Sequence, residues 1–122
     1  MTKYLDKRDF TKVVESVISI LEDNKAVDIA QFDLGDVGDP AYYIVVASAS
    51  SVRHARALMD NVVDGMRAAS SIYDGNITVE GSKNGQWILV DLVGVVVHIF
   101  QAEPREYYDI DGLFSDAQRI DK

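Results

Sequence analysis

The sequence contains no cysteine, which excludes disulfides, thiolate metal sites and thiol catalysis together. Histidine is nearly as scarce. Only His54 and His98 are present, with no spacing of the HxH or HExxH kind, so a zinc site would have to draw most of its ligands from carboxylates. Positive charge is the third shortage: twelve Lys and Arg stand against twenty Asp and Glu, a formal net charge of −8. The one local cationic group, Arg53, His54 and Arg56, is small. Nucleic-acid binding works by neutralising phosphates and releasing counterions, so direct nucleic-acid binding is not expected as the main activity. An acidic surface suits a basic protein partner, although it also serves ordinary solubility. Long apolar runs are missing too. None approaches the ~18–20 residues that span a bilayer, and no apolar segment follows the basic residues near Met1 as it would in a secretory signal. The expectation is a soluble, cytoplasmic protein with no membrane association.

What is present is globular. The chain has 122 residues, 48 % hydrophobic and 26 % charged, enough for one domain with its own core. No repeat, linker or low-complexity segment divides residues 1–122. Phe10, Val13, Val14, Val17, Ile18 and Leu21 recur at the spacing of one helical face, with Asp9 or Thr11 as the cap and Asp23-Asn24 as the stop. Ala30, Phe32 and Leu34 alternate with polar neighbours, as in a half-buried strand, and residues 35–40 form a loop rich in turn residues. Tyr42 to Ala47 is a continuous apolar run, which predicts a strand covered on both faces. Ser48 to Ser51 offers caps for a second helix with Val52, Ala55, Met59, Val62, Val63 and Met66 on its inner side. A short strand at 77–79 and two more at 86–92 and 95–101 follow, and Pro104 sits where a last helix begins. The predicted fold is α+β: a mixed β-sheet of about four or five strands flanked by helices.

The hairpin around Val93-Gly94 carries most of the functional signal. Its register opposes position 92 to 95, 91 to 96, 89 to 98 and 87 to 100, and side chains alternate faces. One face holds Ile88, Val90, Leu92, Val95, Val97 and Ile99, an aliphatic surface that belongs to the core. The other holds Trp87, Leu89, Asp91, Val96, His98 and Phe100. Asp91 lies diagonal to His98, within side-chain reach. This face reads in two ways: as a second core face in which Asp91 and His98 satisfy each other beneath a helix, or as a binding surface anchored by Trp87 and Phe100. Tryptophan, tyrosine and arginine dominate interface energies. Arg105 to Tyr108 follows directly. Tyr107 and Tyr108 diverge by about 100° on a helix, so one packs inward and the other presents its ring.

Catalytic arrangements are weaker. The serines at 48, 50 and 51 suit helix caps and no nucleophile elbow is present. Asp36, Asp39 and Asp91 are the carboxylates from which a Mg²⁺-dependent nucleotidyltransferase-like enzyme would have to be built, and turn-forming aspartates explain the first two more simply. No metal or cofactor is expected.

Glu80-Gly81, Trp87-Ile-Leu-Val-Asp91, Gly94 to Phe100 and Arg105-Glu-Tyr-Tyr-Asp109 together resemble the signature of the ribosomal silencing factor family (Iojap-type, RsfS). Asp28 to Leu34, Tyr43 to Ser48 and Ser51-Val-Arg-His54 are similar to its earlier segments, so the resemblance covers about residues 10–116 in order. It implies a single silencing factor domain with a mixed sheet distantly like that of nucleotidyltransferases, often homodimeric and without enzymatic activity. It further implies binding to large-subunit ribosomal protein number fourteen, where the small subunit docks, so that subunit joining is blocked and translation falls when nutrients are scarce. The positions carried over are Trp87, Asp91, His98, Arg105, Tyr107 and Tyr108, and Phe100 joins them from the hairpin register as a partner-binding residue. Ala49, Gly112 and Phe114 depart from the family's usual residues.

Overall fold

The structure is a computed structural model that describes residues 7–35, 41–101, 105, 109, 112 and 118–121, the last four by their backbone. Helix α1 (Lys7–Asp23) buries Phe10, Val13, Val14, Val17, Ile18 and Leu21, the face that the apolar spacing defines. The helix starts at Lys7, so Asp9 and Thr11 lie inside its first turns and neither caps it. The Lys7 ammonium meets Asp33 Oδ1 at 2.6 Å, which ties the helix start to the end of the next strand.

Strand β1 (Val27–Asp33) pairs antiparallel with β2 (Tyr43–Ala49), which is buried along its whole length. Helix α2 (Val52–Ala68) follows, capped by Ser51, whose side chain accepts the His54 N–H. Its buried residues are Ala55, Leu58, Val62, Val63 and Met66. Leu58, absent from the expected inner face, is fully buried, while Val52 and Met59 are only partly so. Strands β3 (Thr78–Glu80), β4 (Trp87–Asp91) and β5 (Val95–Gln101) form an antiparallel meander, and β5 lies parallel to β2. The crossover through α2 makes that parallel pairing possible.

The sheet order is β3-β4-β5-β2-β1-β6, an α+β domain with a mixed sheet as expected. It has six strands, one beyond the expected upper count, because β6 (Gln118–Asp121) adds antiparallel to β1. The expected terminal helix around Tyr107, Ile110 and Phe114 falls on residues outside those described. Both α1 and α2 pack on the same sheet face, over Val45, Ala47, Ile88, Val90, Leu92, Val95, Val97 and Ile99. The opposite face carries a smaller cluster of Ala30, Phe32, Ile44, Val46, Val96 and Phe100, with Trp87 and Leu89 at its margin. Among the described residues no helix is long and apolar enough to cross a membrane.

Candidate functional site

The β4–β5 pairing has the register read from the sequence: Trp87 opposes Phe100, Leu89 opposes His98 and Asp91 opposes Val96. Period-two alternation therefore puts Trp87, Asp91, His98 and Phe100 on the face away from both helices. Four aliphatic residues on the other side, Ile88, Val90, Val97 and Ile99, have no exposed surface.

Within this face the partners differ from those of the core-face reading. His98 has two diagonal neighbours, Trp87 and Asp91, and it is Trp87 that bonds to it: indole Nε1–H donates to His98 Nδ1 at 3.0 Å. Trp87 also stacks on Phe100, with centroids 4.8 Å apart and planes 25° from parallel. His98 and Phe100 lie nearly parallel at 6.2 Å. Asp91 turns to the hairpin instead, its Oδ1 accepting the Val93 N–H at 2.8 Å. Its carboxylate therefore organises a turn, and the Asp91–His98 pairing that belonged to the core-face reading gives way to a Trp87–His98 pair.

The electrostatics follow from burial. His98 is 6 % exposed, and desolvation of the charged ring lowers its pKa to about 4. It is neutral at pH 7. Because Nδ1 accepts the indole proton, the ring's own proton sits on Nε2. Phe100 has no exposed surface and Trp87 is half-buried, so of the aromatic trio it is the indole that has surface to offer.

Arg105 reaches the same sheet face further along. Its Nη1 donates to Ser48 Oγ at 2.8 Å and to the Asp28 carbonyl at 2.6 Å. Asp28 lies in a bulge where β1 slips register between Val27 and Ala30, with φ +51°. A bulge leaves its extra residue out of the ladder, and the guanidinium satisfies the carbonyl released there. Nothing in the sequence marked that bulge. Tyr107 and Tyr108 lie outside the described residues.

The small cationic group on α2 is largely engaged within the fold. His54 Nδ1 accepts the Ser50 N–H at 2.9 Å, and its protonated Nε2 donates to the Asn24 carbonyl at 2.9 Å. Arg56 holds the β3–β4 turn through the Ser82 carbonyl at 2.8 Å and the Lys83 carbonyl. Asp36 and Asp39 lie outside the described residues, and no group of three metal-ligating side chains is found among the described ones.

The family model described as "Ribosomal silencing factor during starvation" matches residues 7–122. The chain belongs to the ribosomal silencing factor family. A silencing factor from Chromobacterium violaceum is 32 % identical over 106 residues, which cover 87 % of this chain and 84 % of that one. A crystal structure of a Chromobacterium violaceum protein matches with a TM-score of 0.79 at 32 % identity, over 86 % of this chain and 85 % of the other. A mouse relative, named mitochondrial assembly of ribosomal large subunit protein 1, is 26 % identical over 102 residues, 84 % of this chain and 45 % of its own length. The hairpin face of this chain carries one half-buried indole, a neutral imidazole and an apolar floor.

Proposed function

We propose that this silencing factor binds the large ribosomal subunit through its protein number fourteen and sterically blocks joining of the small subunit, lowering translation under nutrient limitation. The observation that carries the reading is the family match along residues 7–122. The mouse relative's name, which refers to the large ribosomal subunit, points the same way. The docking surface in this reading is the face of β4 and β5 that bears Trp87, with Asp91, His98, Phe100 and Arg105 building or bordering it; Tyr107 and Tyr108, outside the described residues, are proposed to bind the partner as well. The protein acts by occupancy and performs no chemistry. Affinity comes from a few large anchors, and the net charge of −8 assists encounter with a basic protein surface. The protein is cytoplasmic and homodimeric in this reading.

Co-sedimentation with purified large subunits tests it. The wild-type chain pellets with large subunits and lowers the yield of joined ribosomes, and Trp87→Ala weakens both effects in parallel. Wild-type protein that stays in the supernatant would sink the reading. Light scattering on the free protein checks the dimer separately.

A further inference from the structure

Trp87 is the single tryptophan of the chain, and its contacts include two of different kinds. The stack on Phe100, 4.8 Å between centroids, sets the plane of the indole but by itself specifies no rotation within that plane. The hydrogen bond from Nε1 to His98 Nδ1 at 3.0 Å does specify one, because it is directional. His98 is itself well anchored. Its ring is 6 % exposed, lies 12° from parallel with Phe100, and sits on a strand paired on both sides, by β4 and β2.

A buried neutral imidazole beneath a half-buried indole offers little surface of its own to a partner. We propose that His98 is a positioning residue of the docking face: it acts on the partner through Trp87, by locking the indole in the orientation that the partner meets. The inference rests on the docking role given to this face above. Its physical content is preorganisation. A side chain already fixed in its bound orientation spares the cost of immobilisation on binding, which is worth from a few-fold to about ten-fold in affinity for one rotamer-rich group.

The test uses the full chain and the fact that one tryptophan gives one indole N–H signal. His98→Leu removes the acceptor at similar bulk. His98→Asn restores one, since the amide oxygen stands on the same branch as Nδ1. In wild type the indole proton exchanges more slowly with solvent than that of a free indole. In His98→Leu it exchanges faster and its resonance moves, while affinity for purified large subunits falls up to about ten-fold. His98→Asn recovers a good part of both, and the double variant Trp87→Phe with His98→Leu binds no worse than Trp87→Phe alone. Large-subunit binding by His98→Leu equal to wild type would overturn the proposal and leave the docking reading standing. Failure of wild type to bind overturns both. If His98→Leu does not fold, the wild-type indole still decides: a proton exchanging at the free-indole rate in the folded protein rules the lock out.

Discussion

His98 enters the fold as a neutral ring, and this makes stability depend on pH in a defined direction. Its pKa is about 4 in the folded chain and about 6.5 when unfolded. Between those values the unfolded state binds the extra proton, so stability rises with pH there. The contribution is complete above about pH 6.5 and is lost as pH falls through 4. A difference of this size corresponds to roughly 3 kcal/mol. Urea midpoints at pH 7 and pH 4.5 should show wild type losing more stability in acid than His98→Leu; equal losses would mean that other groups govern acid sensitivity. Arg105 matters for a different reason. Its Nη1 bridges Ser48 and the Asp28 carbonyl of the bulge, so Arg105→Ala leaves a strand carbonyl short of its partner. Because Asp28 is exposed and water can reach its carbonyl, a loss of about 0.5–1.5 kcal/mol is expected. Arg105→Lys should recover only part of it, since the ammonium lacks the planar donor set; thermal melting of the three proteins checks this.

At the scale of elements the β4–β5 turn shows why a correct register can coexist with wrong turn chemistry. Two-residue hairpin loops favour glycine where φ is positive, yet Val93 occupies that position with φ +69° and is 54 % exposed. Glycine comes one place later for another reason. A Cβ on Gly94 would lie 2.4 Å from ring carbons of Phe10 on α1, so packing of helix against hairpin selects it. Two opposite outcomes follow. Val93→Gly relieves left-handed strain of about 1–2 kcal/mol and, after the added freedom of the unfolded chain, should leave a small net stabilisation. Gly94→Ala must displace Phe10 and should destabilise by about 1–3 kcal/mol. Chemical denaturation of both variants settles the pair, and equal signs would refute this account. The hairpin faces were legible because alternation is a local property, and the same holds for the α1 stripe of Phe10 to Leu21. The Asp28 bulge, the choice of Trp87 over Asp91 by His98 and the addition of Gln118–Asp121 to β1 were not. Each depends on how distant segments meet, which no spacing within a segment encodes.

The whole molecule is asymmetric in cover and in charge. Both helices lie on one face of the sheet, so the only described strand surface bearing a half-buried tryptophan is the other one. Three cationic side chains are occupied by internal partners: Lys7 by Asp33, Arg56 by two turn carbonyls, and Arg105 by Asp28 and Ser48. With a net charge of −8, the proposed docking on a basic protein is favoured electrostatically over docking on a phosphate backbone. The salt response should therefore distinguish the two kinds of partner. Opposite net charges raise the association rate at low ionic strength, and the gain fades as the Debye length shrinks from about 30 Å at 0.01 M to about 8 Å at 0.15 M. Dissociation should change much less, because the aromatic anchors hold the docked state. Stopped-flow association with isolated large-subunit protein number fourteen, using the Trp87 signal over a salt series, should give an on-rate that falls with salt beside a nearly constant off-rate. Naked ribosomal RNA should give no binding at any salt. Tight RNA binding with a steep salt slope would reverse the electrostatic argument and place the partner among the phosphates.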